Sequence, residues 1–283
     1  SNLRFFLRAL ATKGRPVARI AILGAGVMGG ALLSALLRSG HPASDIVLSE
    51  RMVATTREVA EEYDVASAPV EAAARGAGIV VLAVKPQDMS TLLAEIRESI
   101  EPDTLVISVA AGITTEYLEE RLPANTGVVR VMPNTPAQVD QGMSVLSAGR
   151  HCTPEHLAEA ERLLGTFGRV LTLEEKHQDA ATAISGSGPA YIFYVTEAMI
   201  EAGVLLGLPR STATEMVVQT LFGAATMIRE TGEHPSILRE QVSSPGGTSV
   251  AALRALENHK VRAAFLTAIE AAARRAGELS ADD

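Results

Sequence analysis

The chain has 283 residues, of which 47% are hydrophobic and 20% charged, a globular composition with enough length for roughly two domains. Aromatics make up only 4%, Trp is absent and the net charge is −8, so nucleic acid is excluded as the main partner. The single cysteine, Cys152, rules out an internal disulfide and a cysteine-built zinc cluster, and fits a reducing, cytoplasmic compartment.

Residues 1–18 carry Arg4, Arg8, Lys13 and Arg15 around Phe5, Phe6, Leu7 and Leu10. Their apolar run is too short for a secretory core, and they are expected to form a surface-lying arm outside both domains. No run of about 18 uncharged apolar residues occurs, so no membrane span is expected. Residues 19–24 read as a short apolar strand ending in glycine. A helix over 28–39 follows, with Leu32, Leu33, Leu36 and Leu37 on one side, and Gly40-His41-Pro42 ends it. A second strand is expected at 46–48 and a helix at 54–64. Residues 79–84 are unbroken apolar sequence, as a strand buried on both faces requires; Lys85-Pro86 ends it, and 88–99 is an amphipathic helix. Further strands lie at 104–109 and 128–131, and the candidates at 143–146 and 169–172, flanking a helix over 154–167, extend the sheet at its edge. Alternation of this kind predicts a doubly wound α/β sheet over 19–174.

From residue 175 to 283 strand signals vanish and helices take over. The stretches 190–206 and 211–229 are apolar nearly all round, and such helices have to be covered on every face. A domain this small cannot enclose both, so a homodimer through the C-terminal helices is expected.

Gly24-Ala25-Gly26-Val27-Met28-Gly29 matches Gly-x-Gly-x-x-Gly between a strand and a helix, the context in which the pattern binds a dinucleotide. Gly24 allows the tight turn, Gly26 lets backbone approach a pyrophosphate, and Gly29 lets helix and strand pack closely. Ser49-Glu50-Arg51, at the end of the second strand, stands at the ribose-reading position. Glu50 suits the 2′-hydroxyl of NADH and Arg51 the 2′-phosphate of NADPH; the reading taken is NADPH, with NADH as the alternative. Ala83-Val84-Lys85-Pro86 and Ala110-Ala111-Gly112 fall at carboxyl ends of predicted parallel strands, where such sheets bind ligands, and their small residues let a flat nicotinamide ring lie against backbone. Asn134, between Pro133 and Pro136, places a polar side chain at the same edge.

Two glycine clusters mark the second half. Ser185-Gly186-Ser187-Gly188-Pro189-Ala190-Tyr191 opens one helix, with Pro189 suited to its first turn. Ser244-Pro245-Gly246-Gly247-Thr248-Ser249 opens another. Glycines at a helix start expose backbone N–H groups at a positive dipole end, ready for a substrate carboxylate, and Thr248 and Ser249 add hydroxyls. No lysine occurs between Lys176 and Lys260, which disfavours the chemistry of 3-hydroxyacid dehydrogenases of similar layout. The six histidines and the lone cysteine show no ligand spacing, and no metal is expected.

Gly24–Ala31, Ala83–Pro86, Ala110–Gly112, Met132–Ala137, Asp179–Tyr191, Thr231–Pro235 and Val242–Ser249, taken in order, closely resemble the pyrroline-5-carboxylate reductase family, which catalyses the last step of proline biosynthesis. The resemblance runs from residue 19 to about 279, and its Ser-Gly-Ser-Gly-Pro-Ala-Tyr and Ser-Pro-Gly-Gly-Thr segments are the specific ones. It implies an N-terminal Rossmann-type sheet and a C-terminal all-helical dimerisation domain, dimers assembled into a ring, and a cyclic imine as substrate. It also implies a substrate pocket from Ser187, Gly188 and Pro189 with Ser244, Gly246, Gly247, Thr248 and Ser249, completed in part by the partner chain. Thr248 and Ser249 are the expected catalytic residues, Ser249 as hydrogen-bond partner of the ring nitrogen. Three positions depart from the family pattern: Ser249 replaces the usual Thr, Val70 a frequent Asn, and Gly78 a frequent acid. A related imine or keto-acid reductase, a cofactor-binding sensor without turnover, and a purely structural oligomer are the alternatives.

Overall fold

The computed structural model describes residues 18–49 and 53–281. The expectations for the arm before Ala18 and for Glu50 and Arg51 fall outside the described residues. By internal contact the chain divides into two units: residues up to Gly186 together with those from Ala273 on, and Ser187–Ala272.

In the first unit, β1 (Ile20–Leu23), α1 (Val27–Arg38), β2 (Ile46–Ser49), α2 (Val53–Tyr63), β3 (Ala66–Ser67), α3 (Val70–Ala74) and β4 (Ile79–Leu82) come first. Then follow α4 (Met89–Ile96), β5 (Leu105–Ser108), α5 (Thr115–Arg121), β6 (Gly127–Met132), β7 (Gly142–Ala148), α6 (Pro154–Leu164), β8 (Gly168–Thr172) and α7 (Gln178–Ala181). The strands form one eight-stranded sheet in the order β3-β2-β1-β4-β5-β6-β7-β8. The strands β1 to β6 are parallel, and the order reverses at β1, which pairs β2 on one side and β4 on the other, Ile22 lying opposite both Leu48 and Val81. The short connection between β6 and β7 makes that pair antiparallel, whereas β7 and β8, joined through α6, are parallel. Arg38 at the end of α1 fastens the β6–β7 connection through a bidentate pair with Asp140, Nε to Oδ2 at 3.1 Å.

Strand alternation builds two cores, one on each face. Ile20, Ile22, Ile79 and Val81 pack with Leu32, Leu33 and Leu36 of α1 and Leu163 and Leu164 of α6. Ala21, Leu23, Val80 and Leu82 pack with Met89, Leu93 and Ile96 of α4 and Leu118 of α5. Every residue of β1 and β4 is buried, as their unbroken apolar sequence requires.

The strands and longer helices lie where the sequence pattern puts them, within a residue or two at most ends. Elements it does not announce are β3, α3 and α5, which run to two, five and seven residues. Such segments are too short to show a period. Only α5 carries a start signal, Thr114, whose hydroxyl accepts the Tyr117 N–H at 3.1 Å. The strand signal stops near residue 174, yet residues 175–186 still pack on the sheet. Gln178 is buried, its Nε2 donating to Val145 O (3.2 Å) and Ser147 Oγ (2.8 Å) of β7. Glu175 accepts from the Thr115 N–H (2.9 Å) and from buried Arg130 of β6 (3.1 Å). A π-helical turn, Thr182–Gly186, closes the unit.

The second unit holds α8 (Gly188–Leu205), α9 (Arg210–Thr231), α10 (Pro235–Gln241), α11 (Thr248–Asn258) and the start of α12 (Val261–Ala281). Among the described residues, α8, α10 and α11 bury no side chain, and α9 buries only Ala213. Ala213 fits because Gly203 faces it: a Cβ on Gly203 would lie 2.8 Å from Ala213 Cβ. Tyr194 is 76% exposed, Leu205 87% and Phe222 68%. Among the described residues no helix is long and apolar enough to cross a membrane.

The turn after α1 contains one titratable group held against its preference. His41 donates its backbone N–H to Leu36 O (3.0 Å), and its Nε2 is buried without a hydrogen-bond partner. Burial lowers its pKa, Arg162 adds to the effect, and Asp45 and Glu159 oppose it. The unfolded chain therefore binds more protons than the folded one between the lowered value and the ordinary value of about 6.5. This contribution to stability is whole above the ordinary value and is lost as pH falls towards the folded-state value. The urea midpoint is expected to fall between pH 7.5 and pH 5.5 by a smaller margin in His41→Leu than in the wild-type chain. Equal pH slopes for the two would remove the role of His41.

Candidate functional site

The chain leaves β1 at Gly24, whose φ of +114° is open to glycine. The Gly24 N–H donates to Ser49 O at 2.8 Å, at the end of β2. A Cβ on Gly24 would lie 2.5 Å from Ala83 O, just past β4, and a Cβ on Gly29 would lie 1.9 Å from Gly24 O. The ends of β2, β1 and β4 and the start of α1 thus meet through backbone alone. Gly26 differs: a Cβ there would meet nothing within 4 Å. It is the N-cap of α1, no side chain caps the helix, and no acidic residue stands in its first turn. The first-turn amides and the positive dipole end therefore face open space where backbone can approach closely. These features fit a pyrophosphate.

Beside this turn lies a cavity of about 350 Å³, at the point where the strand order reverses. Gly24, Gly26, Ser49, Ala83, Val84 and Lys85 line it from the strand ends, and Leu23, Val70, Asp88, Leu92 and Glu95 complete it. The sequence reading names the first group but not Leu23, Asp88, Leu92 or Glu95, and it notes Val70 only through the family pattern. A signal was present: Asp88, Leu92 and Glu95 stand at i, i+4 and i+7, one face of the helix that follows the Lys85-Pro86 strand end.

The other expected residues take varied places. Ala25 and Met28 pack against the core, and Val27 is exposed at the first position of α1. Pro86 opens a single 3₁₀ turn, Pro86–Asp88. Ala110, Ala111 and Gly112 do not line the cavity; they follow β5, whose neighbouring Val109 N–H donates to Leu82 O at 3.0 Å. The Asn134 side chain is a clamp within the first unit: Oδ1 accepts the Met143 N–H (2.8 Å) and Nδ2 donates to Ser185 O (3.0 Å). One Nδ2 hydrogen is left for a ligand.

In the second unit Ser187 is the N-cap of α8, with Gly188 and Pro189 in its first turn and no side-chain cap. Gly246 stands at φ +69° and Gly247 is the N-cap of α11, again with no side-chain cap and no acid in the first turn. The Gly247 N–H donates to Ser244 O (3.0 Å), and a Cβ on Gly247 would strike Ser244 Oγ at 2.4 Å. Thr248 is exposed and Ser249 half-buried, at the first two positions of α11. The amides of that first turn can hold a carboxylate. Among the described residues no group of three His, Cys, Asp or Glu side chains could hold a metal. Burial pushes the Cys152 thiol up, away from the reactive thiolate.

Residues 175–279 match the family model for pyrroline-5-carboxylate reductase dimerisation, and residues 19–112 match the model for NADP oxidoreductase, coenzyme F420-dependent. The chain is 45% identical over 264 residues to the pyrroline-5-carboxylate reductase of Corynebacterium melassecola, covering 92% of this chain and 98% of that one. The chain belongs to the pyrroline-5-carboxylate reductase family. The solved structure of the pyrroline-5-carboxylate reductase from Coxiella burnetii matches with a TM-score of 0.89 at 35% identity, over 94% of this chain and 99% of that one. The Plasmodium falciparum pyrroline carboxylate reductase, solved with NADP bound, matches with a TM-score of 0.85 at 28% identity, over 94% and 100%. In this chain a match to an oxidoreductase model is thus followed by a match to a dimerisation model.

The glycines separate fold from ligand. Gly29→Ala forces its Cβ into Gly24 O and is expected to lower both thermal stability and dinucleotide binding. Gly26→Ala meets no atom of the described residues and should cost at most about 1 kcal/mol of stability as a poorer N-cap. Its dinucleotide affinity, titrated by nicotinamide fluorescence, should nevertheless fall by about 10-fold or more, as expected where a methyl blocks a close backbone–phosphate approach. Unchanged affinity in Gly26→Ala would remove the phosphate role of this turn.

Proposed function

We propose that this chain reduces the ring C=N bond of Δ1-pyrroline-5-carboxylate to L-proline, with NADPH as the donor and NADH as the alternative. The observation that carries the reading is the Gly24–Gly29 turn beside a cavity at the sheet's reversal point, in a chain 45% identical to a named reductase. Bound NADPH supplies a hydride from its nicotinamide ring. In this reading Gly24, Ala25, Gly26, Val27, Met28 and Gly29 present the first-turn amides of α1 to the pyrophosphate. Ser49 and Arg51 serve the ribose, Ala83, Val84 and Lys85 the cavity wall with Pro86 following it, and Ala110, Ala111, Gly112 and Asn134 the nicotinamide side.

The substrate's carboxylate is assigned to the amides at the start of α11, behind Ser244, Gly246 and Gly247, with the Thr248 hydroxyl beside them. Ser187, Gly188 and Pro189 form the second wall. Ser249 offers its hydroxyl oxygen as acceptor to the N–H of a ring nitrogen already protonated in solution. Hydride addition to the neighbouring carbon then turns the protonated C=N bond into the amine, with no strong side-chain acid required. Orientation then supplies much of the rate.

The helical unit is proposed to form a homodimer through the C-terminal helices, with dimers further assembled into a ring in the cytoplasm. Its exposed Phe193, Tyr194, Leu205 and Phe222 support that reading. So do Thr196, Thr214, Thr220 and Thr226, whose hydroxyls each donate to the carbonyl four residues back, so that they add no unmet polar hydrogen to an apolar face.

The test is to follow oxidation of NADPH and NADH with pyrroline-5-carboxylate under matched conditions; no oxidation of either rejects the activity. Ser249→Ala is expected to lower kcat/KM by about 10- to 100-fold, near the low end of the effect of losing a hydrogen-bond partner at a reacting atom. Light scattering should give at least a dimer mass for the wild-type chain and loss of that mass in Phe222→Glu; a wild-type monomer would overturn the assembly.

A further inference from the structure

We propose that the end of α12, from Ala273 on, is a buttress that sets the position of the Ala110–Gly112 loop for catalysis, with Gly112 and Leu279 as positioning residues. The inference rests on the reading that this loop lies against the nicotinamide of the bound cofactor. All the groups involved belong to the first unit.

Gly112 stands at φ +81°. A Cβ on it would lie 3.3 Å from the carbonyl oxygen of Leu279, 3.5 Å from its carbonyl carbon and 3.8 Å from its Cβ. The loop and the helix end therefore meet backbone to backbone. Such a contact cannot yield by a change of rotamer, as a side-chain contact would. The helix end is itself seated. Ala276 is buried, and Gly277 passes so close to α7 that a Cβ would lie 3.3 Å from Asp179 Oδ2. The Ser280 hydroxyl is buried with no hydrogen-bond partner among the described residues, a cost that the seam tolerates.

On the loop's other side stands the sheet. The Ala110 N–H donates to Ser108 Oγ at 3.4 Å, and Val109 is bonded to β4. Ala110 is buried in the core beneath the sheet, whereas Ala111 is exposed and Gly112 has no side chain. The loop is held by the core at Ala110 and meets the Leu279 backbone at Gly112. A loop that lies against a reacting ring transmits any shift directly to the distance over which hydride travels, and this makes the buttress a matter of rate as well as of packing.

The experiment is a double-mutant cycle in the full chain: Gly112→Ala, Leu279→Gly and the pair. NADPH affinity is read by fluorescence titration, kcat and KM for both substrates by steady-state kinetics, and folding by thermal melting. Gly112→Ala is expected to raise the Kd and KM for NADPH by about 10-fold while the KM for pyrroline-5-carboxylate moves less than about 2-fold, the split expected of a displaced cofactor loop. In the Leu279→Gly background, where the helix end can yield, the same substitution should cost distinctly less, giving a non-additive cycle. Additive costs, or a lowered melting temperature with unchanged NADPH constants, would overturn the proposal. Absence of NADPH oxidation by the wild-type chain would count against the reductase reading instead, and the cycle in NADPH affinity alone would then decide on the buttress.

Discussion

The close approach of β2, β1, β4 and α1 at Gly24 is the constraint on which the first unit depends. A carbonyl oxygen stands where a Cβ would lie on Gly24, and another where it would lie on Gly29. Removing two side-chain positions lets the helix start directly over the strand ends, with Gly24 and Gly26 in the cavity wall. Everything placed at that edge follows. Ser49 is drawn in by its bond to Gly24, Ala83 by its contact with it, and Val84 and Lys85 continue from Ala83 into the wall. A helix start of this kind can bind an anion without a cluster of basic residues. The charge is supplied by backbone dipoles, which no titration can remove.

The second unit follows a different logic. Its helices are long and well started, by Pro189 in α8 and Pro235 in α10, yet among the described residues they enclose almost nothing. Helix propensity is a weak force compared with burial, and such helices are stable only with a covering surface. The only buried side chain of α9, Ala213, marks where α8 and α9 touch at Gly203. Residues 175–279, which include both helices, match the family's dimerisation model.

The legibility of the sequence varied with the length of the signal. The glycine turn could be read at once, because each glycine spacing answers to one steric demand, and the packing demands at Gly24 and Gly29 are met by carbonyl oxygens close to where a Cβ would stand. The buried strands were legible as apolar runs. Segments β3 and α3 were not, because two and five residues cannot display a period. The boundary near residue 174 reflects loss of strand character, whereas attachment to the sheet persists through the polar Gln178 and Glu175, which no hydrophobicity pattern registers. Asn134 was legible as a polar group at the right edge, but its two backbone partners, at Met143 and Ser185, come from folding and could not be anticipated. The wall residues Leu92 and Glu95 were hidden for a similar reason: their spacing reads as an ordinary amphipathic helix until the strand end beneath it is located.

The brevity of β3 has a consequence for how the chain avoids trouble before it is assembled. An open sheet presents unpaired backbone groups along its outer strands, and these invite another chain to add a strand. At the β3 side only Ala66 and Ser67 form the outer strand, and Pro69, which has no N–H to offer, follows almost at once. A newly made chain with its apolar helices still uncovered is most exposed to wrong association. On this side its sheet offers a stray strand too little ladder to hold, and of the two edges only β8, with five residues, is long enough to template one.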